Sequence, residues 1–359
     1  MAFASFLYFS KNSSKGIHLF GIFNCDIGID LGTANTLVHV AGQGIVINEP
    51  TVVAVDRKND DRVAYIGSDA KKMLGRTPGE MMAIRPMKDG VIADFKLVEA
   101  LLQHFIKRVQ KYPLFLVKPR VVVGVPSGIT EVEKRAVIDA VRQAGAREVH
   151  LVAEPMAAAI GMGIPVEDPS GNMVIDIGGG TSEIAVIALY GIVCDASVRV
   201  GGDEMDEAII NYLRRTYNLL VGESTAEQIK FQIGSAFPLE KELEMEVKGR
   251  DLTAGIPRTM SISSVEIREA LNEPVTAIVE AVKQALEITP PELSADILDK
   301  GIIMTGGSSQ LRGLDERLRH ETNLPVNVID DPLICVCKGT ARILEDLDKY
   351  RKVLMASWA

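Results

Sequence analysis

Gly28-Ile-Asp-Leu-Gly-Thr33 is answered later in the chain by Val174-Ile-Asp-Ile-Gly-Gly-Gly-Thr181, so that Asp30 and Asp176 stand 146 positions apart at the same place in two copies of one pattern. Each copy lies between β-type runs. Ile27 to Asp30 leads through Gly32-Thr33-Ala34-Asn35 into Thr36 to Val40, and Met173 to Asp176 leads through the glycines into Ile184 to Leu189. Both read as β-hairpins with glycine-containing turns.

Working outward from the echo, strands are expected near Thr51 to Val55, Arg120 to Val125 and Glu148 to Val152. A helix is expected from Glu131 to Ala144, where Thr130 and Glu133 have capping-box spacing and Val132, Ala136, Val137, Ala140, Val141 and Ala144 form one apolar stripe. Pro155 opens a helix over Met156 to Met162. The second half repeats the scheme: helices near Glu204 to Leu220 and Ala226 to Ala236, strands around Glu240 to Val247 and Arg258 to Ile262, then two helices, Ser264 to Leu271 and Pro274 to Glu287. Finally a strand, Gly301 to Met304, ends in Thr305-Gly-Gly-Ser308 and runs into a helix from Gln310 to His320. An α/β alternation built twice predicts two domains facing each other across a cleft, with the two glycine turns opposed.

That opposition gives the turns a chemistry. Glycine lets backbone amides approach phosphate oxygens, and a hydroxyl in the same turn adds a donor. Gly32, Thr33, Ala34 and Asn35 supply one such turn, and Gly178, Gly179, Gly180 and Thr181 the other. A structural turn has no reason to keep an acid just ahead of both loops, so Asp30 and Asp176 are candidates to hold a hydrated magnesium ion. Glu154 ends a strand and precedes Pro155 at a helix start. It reads either as an acid favoured by the helix macrodipole or as a carboxylate at the sheet rim that orients water. Thr305-Gly-Gly-Ser308 offers small residues on which a flat ring can lie.

Composition narrows the alternatives. With 359 residues, 47% hydrophobic and 24% charged, the chain is long enough for two ordinary cores. A net charge of -9, from 39 basic and 48 acidic residues, argues against a general grip on nucleic acid or anionic lipid. Cys335-x-Cys337 lacks the second pair a zinc site needs, so the four cysteines read as reduced thiols of a cytoplasmic protein. No apolar run is long enough to span a bilayer. Residues 1–25 differ in character, apolar and aromatic on both sides of a polar patch at Lys11 to Lys15, without the charge order or cleavage site of a signal peptide. Neither a Gly-x-x-x-x-Gly-Lys-Ser/Thr loop nor a Rossmann fingerprint is present, and the five histidines are scattered.

The motifs Gly28 to Thr36, Ala153-Glu-Pro-Met-Ala-Ala-Ala-Ile-Gly161, Gly171 to Thr181 and Gly202-Asp-Glu-Met-Asp-Glu207 resemble the MreB family, as do Ile84 to Asp94 and Lys118-Pro-Arg120. The resemblance runs from about Asp26 to Leu354. It implies an actin-like duplicated ribonuclease-H-type fold, two domains and four subdomains around a nucleotide cleft. The tail would be 1–25. Domain I would take 26–165 plus 336–359, with a small subdomain about 54–86, and domain II 166–335, with a small subdomain about 202–265.

The resemblance further implies ATP with Mg2+ in the cleft and hydrolysis coupled to polymerisation. It implies paired protofilaments of the chain with itself on the inner face of the cytoplasmic membrane, organising cell-wall synthesis and cell shape or septum position. Partners of the MreC, MreD and RodZ kind follow from it, and no nucleic acid. Carried over by position, phosphate contacts fall on Thr33, Ala34, Asn35, Gly179, Gly180 and Thr181. Nucleoside contacts fall on Glu227, Lys230, Gly306, Gly307 and Ser308, and the water-orienting role on Glu154. Ser308 departs from the glycine frequent at that place, which puts base preference in question. The tail reads either as a disordered leader or, over Gly16 to Phe23, as an interfacial anchor, and with the loop Tyr112-Pro-Leu-Phe-Leu116 it supplies the candidate membrane contacts, Phe20, Phe23, Leu114 and Phe115. A sugar or acetate kinase shares this fold but would carry a catalytic aspartate and an acceptor pocket. A heat-shock-type chaperone would need a peptide-binding region beyond the turns, and a non-hydrolysing scaffold would not need Glu154, Asp30 and Asp176 together.

Overall fold

Ile27–Leu31 and Asn35–Val40 pair antiparallel, and Gly44–Pro50 continues the meander, while Arg120–Val125 and Glu148–Ala153 add two parallel strands on the other side of Ile27–Leu31. In a computed structural model describing residues 26–59, 61–77, 79–109 and 118–355, this five-stranded sheet is matched by a second of identical topology. There Asn172–Ile177, Ser182–Ala188 and Gly191–Val198 form the meander, and Ile302–Thr305 and Val326–Val328 the parallel pair. The sequence echo is therefore a duplicated sheet. The fold is the actin-like one expected.

The parallel strands are near-continuous apolar runs because both faces are covered. Arg120–Val125 reads Arg-Val-Val-Val-Gly-Val, with Val121, Val122 and Val123 fully buried. One cover is the helix Glu131–Gln143, whose N-terminus is fixed as expected by a reciprocal capping box between Thr130 and Glu133. Another is Phe95–Val109, which buries Leu97, Val98, Leu101, Leu102, Phe105 and Ile106 at helical spacing.

Two helices tie the halves together. Glu154–Met162 leaves the first sheet, with Pro155 in its first turn and left-handed Gly163 (φ 83°) at its end, and packs on Asn172–Ile177 and Ser182–Ala188. Cys335–Glu345 leaves the second sheet and packs on Ile27–Leu31 and Arg120–Val125. The pair forms an apolar layer of its own, with Ala157, Ala158, Ala159 and Ile160 against Val336, Ile343 and Leu344.

Each half carries a smaller lobe. The first is a three-stranded sheet of Val53–Asp56, Arg62–Ile66 and Met81–Ile84 with the short helix Ser68–Lys71. The second has Leu219–Leu220, Glu244–Asp251 and Pro257–Ser263 with the helices Gly202–Tyr217 and Glu223–Ile233. No helix among the described residues is long and apolar enough to cross a membrane.

Three expectations are corrected. Ser264–Glu287 is one helix through Pro274, because its buried stripe, Ile267, Leu271, Val275, Ile278 and Val282, continues across the proline and offsets the lost backbone bond. The segment after Ser308 is a 3-10 turn, Gly307–Gln310, and the α-helix starts only at Leu314, since Gly313 at φ 68° cannot be helical. The strand expected from Glu240 begins at Glu244 and runs to Asp251, whose side chain accepts from the amides of Thr253 (2.8 Å) and Ala254 (2.9 Å) and so sets the hairpin turn.

Candidate functional site

The two glycine turns are built alike and held from behind. In the first, the Gly32 amide donates to the Asn35 carbonyl (3.1 Å), and Thr51 donates through its hydroxyl to the Gly32 carbonyl (2.8 Å) and through its amide to the Ala34 carbonyl (2.9 Å). In the second, the Gly178 amide donates to the Thr181 carbonyl (2.8 Å), and the Gly178 and Gly179 carbonyls accept from the amides of Gly202 (3.1 Å) and Asp203 (2.7 Å). The turns then meet face to face. A Cβ on Gly179 would lie 2.6 Å from the Ala34 Cβ, and one on Gly180 would lie 2.9 Å from the Thr33 hydroxyl, so only glycine allows this approach.

Asp30 and Asp176 sit one residue before the end of their strands, on the cleft floor. Neither their carboxylates nor that of Glu154 forms a hydrogen bond or ion pair with another described residue. Burial, then Asp176, pushes Asp30 up to about 8, and burial, then Glu183, pushes Asp176 up to about 7. Glu154 is driven well above the ordinary carboxylate range by burial and then by Asp176, Asp30 and Glu183. Three acids converging on the cleft floor repel one another, and a bound cation would relieve that repulsion. No group of three or more His, Cys, Asp or Glu arranged as metal ligands occurs among the described residues. Asp30 and Asp176, presented from two strand ends, are the residues that could hold a metal ion that keeps most of its water.

The remaining wall comes from the second half. Lys230 is ion-paired to Asp206 (2.9 Å) and donates to the Gly202 carbonyl (2.6 Å), so its stem lines the cleft while its charge is already engaged. Gly306, at φ 85°, lies where a Cβ would overlap an Asp176 oxygen. Gly307 faces Leu333, and the Ser308 hydroxyl donates to the Gly178 carbonyl (2.7 Å). Ser308 thereby braces the second turn, which gives the departure from glycine a structural role. Glu227 reaches across the cleft mouth to Lys71 (2.9 Å).

One cavity of about 500 Å³ is lined by Asp30, Gly32, Thr33, Ala34, Asn35, Glu154, Asp176, Gly178, Gly179, Gly180, Thr181, Glu227, Lys230, Gly306, Gly307 and Ser308 together. That volume is in the range of small-molecule and cofactor sites. Asp203, Asp206, Phe231 and Leu333 also line it and carried no assigned role, although Asp203 and Asp206 lie within the Gly202 to Glu207 motif. Glu183 was missed as well. It is 1% exposed, accepting from the Ser197 hydroxyl (2.6 Å) and the Ser127 amide (3.1 Å), and a lone acid inside the apolar strand Ser182–Ala188 was its signal. Phe20, Phe23, Leu114 and Phe115 lie outside the described residues.

A model of the MreB/Mbl protein family matches residues 24–352. The chain is similar to the cell shape-determining protein MreB of Escherichia coli (strain K12), 57% identical over 333 residues, which are 92% of this chain and 96% of that protein. It is also similar to the cell shape-determining protein Mbl of Bacillus subtilis (strain 168), 51% identical over 331 residues, 92% of this chain and 99% of that one. Among solved structures, MreB5 of Spiroplasma citri bound to ADP superimposes with a TM-score of 0.86 at 38% identity, covering 91% of this chain and 98% of its own. The same protein has also been solved bound to AMPPNP.

Proposed function

The chain belongs to the MreB/Mbl family, and from that premise we propose that it is an actin-like ATPase that polymerises on the cytoplasmic membrane and organises cell-wall synthesis and cell shape. The observation that carries this reading is the meeting of Gly179 with Ala34 in the cavity that Asp30 and Asp176 also line. A phosphate chain entering there is held by amides and hydroxyls from both halves at once, so its presence favours their closed arrangement.

The chemistry asked of the protein is positioning and charge management. The amides of Thr33 to Asn35 and of Gly179 to Thr181 bind the phosphates, and the hydroxyls of Thr33 and Thr181 add donors. Mg2+, held through water by Asp30 and Asp176, would neutralise phosphate charge. Glu154 lines the cavity at the carboxyl end of Glu148–Ala153, and to it we assign the water that attacks the terminal phosphate. Ionised, it accepts a hydrogen bond from that water and orients it for attack. Glu227 and Gly306 to Ser308 hold the nucleoside. That the S. citri relative has been solved with ADP and with AMPPNP supports nucleotide as the ligand class.

Filament formation, the boundaries 26–165 plus 336–359 and 166–335, and partners of the MreC, MreD and RodZ kind are part of the same proposal and rest on family membership. Membrane attachment through residues 1–25 and through Leu114 and Phe115 belongs to it too. The test is sedimentation of purified protein with ATP and magnesium, with and without anionic liposomes, with phosphate release measured in parallel. ATP-dependent pelleting with release of phosphate is expected. Deleting residues 1–23 and changing Leu114 and Phe115 to Ser should abolish co-sedimentation with liposomes while leaving phosphate release. Turnover by a protein that stays soluble in every condition would instead point to a small-molecule kinase of the same fold.

A further inference from the structure

We propose that Lys71 and Arg85 form a clasp across the mouth of the cleft that positions Glu227 and sets how fast bound nucleotide leaves; this rests on the nucleotide-binding reading of the same cleft. Both cations belong to the small lobe of the first half: Lys71 ends the helix Ser68–Lys71, and Arg85 follows the strand Met81–Ile84. Their partners all belong to the facing lobe of the second half. The Lys71 ammonium donates to Glu227 Oε1 at 2.9 Å, and the Arg85 guanidinium lies 3.8 Å from Asp203 and 3.7 Å from Glu223. Glu227 and Asp203 both line the cavity.

Three features make this a device rather than surface decoration. The acids are crowded: Asp203 faces Glu223 and Glu227, and burial holds its carboxyl above the usual range while Arg85 and Lys230 pull it back. With Lys230 already engaged by Asp206, the cations that balance this patch arrive from the opposite lobe. Whereas Glu223 is 65% exposed, the Lys71–Glu227 and Arg85–Asp203 pairs are also partly withdrawn from water, with side chains 38% and 28% and 25% and 31% exposed. They are therefore less screened than ordinary surface pairs.

The lobe that carries the two cations has, besides, only a small core of its own. Val52, Ala54 and Ala70, with Met73, Leu74, Met81 and Ala83 around them, form a cluster on one of its faces, while Val53 and Val55 on the other join the main core of the first half. The lobe is thus anchored to its own half and carries Lys71 and Arg85 with that half when the cleft opens. Opening of the cleft parts Lys71 from Glu227 and frees the Glu227 carboxylate from the geometry in which one oxygen is held by lysine and the other is left to the nucleoside. Nucleotide exit and breakage of the clasp are then one event.

The experiment is the dissociation rate of fluorescent ADP, chased with excess unlabelled ATP, from full-length wild type and variants. Lys71→Ala should release roughly fivefold faster, and Lys71→Ala with Arg85→Ala faster still, as partly exposed ion pairs allow. Lys71→Arg, which keeps the pair, should release at the wild-type rate. Lys58→Ala, which removes the exposed Lys58 to Glu80 pair of the same lobe, should also leave release unchanged. Added salt should speed release from wild type and have less effect on the double variant. Single-turnover hydrolysis should be unchanged, because neither cation touches Glu154. Equal release from wild type and the double variant, or salt dependence that survives in the double variant, overturns the clasp and leaves the nucleotide reading standing. Failure of wild type to bind any nucleotide removes both.

Discussion

Gly339 in the last helix lies so close to Ala157 in the helix after Glu154 that a Cβ on Gly339 would overlap the Ala157 carbonyl oxygen. The relationship is reciprocal, since a Cβ on Gly161 would overlap the Cys335 carbonyl oxygen. The two helices that exchange between the halves therefore cross backbone to backbone, and Arg342 closes the crossing by donating to the Ile160 carbonyl (2.5 Å). The two helices that join the halves are closely packed here, so a change at this crossing reaches both.

Gly339→Ala should accordingly destabilise the protein by about 3 kcal/mol, the upper part of the range for overpacking a rigid contact, because backbone on both sides has nowhere to move. Urea unfolding followed by circular dichroism would read it. A loss below about 0.5 kcal/mol would mean that the helices separate easily and do not couple the halves. Gly42→Ala is a poor control because φ there is 75°, whereas Gly79, with open space around it, should tolerate alanine.

Glu154→Ala should keep nucleotide binding and lose most hydrolysis, by roughly 100-fold, the scale of a water-orienting carboxylate. The side chain makes no hydrogen bond with another described residue, so its loss leaves nothing unpaired and the fold should be unaffected. Binding by fluorescent ATP and single-turnover phosphate release separate the two effects. Unchanged turnover would take Glu154 out of the mechanism, and lost binding would make it a ligand contact.

What the sequence disclosed was whatever repeated or was local. The echo at Asp30 and Asp176 predicted two hairpins and two opposed turns, and the Thr130 to Glu133 spacing predicted a cap, because each depends on residues close in the chain. The helix Cys335–Glu345 was invisible: Cys-Val-Cys-Lys-Gly-Thr is a poor helix former, and the segment is helical because Gly339 lets it seat against a helix some 180 residues away. Pro274 misled for the mirror reason, as a local breaker overruled by long-range packing. In the site, Glu183 escaped because its counterpart in the duplication is not an acid. Glu183 stands opposite Asp176 in its sheet, whereas Leu37 stands opposite Asp30. The position does not need a charge to fold, and a pattern sought in both copies passes over what only one has.

The raised carboxyls make stability depend on pH in a direction opposite to that of surface acids. Asp30 at about 8 and Asp176 at about 7 lie above their unfolded values near 4, so the fold prefers them protonated. The stability this confers is complete below about pH 4 and is lost as pH rises through 7 and 8. Metal-free protein should therefore melt at a lower temperature at pH 8.5 than at pH 6, and Asp30→Asn should flatten the decline. His39, whose burial lowers its value, opposes the trend at the acid end, so the difference between wild type and Asp30→Asn is the quantity to follow. On the proposed reading magnesium would take the place of the lost protons, so its addition should raise the melting temperature more at pH 8.5 than at pH 6 and should release protons on binding. A wild type that melts higher at pH 8.5, with Asp30→Asn following it in parallel, would mean that the two aspartates are not coupled across the floor of the cleft.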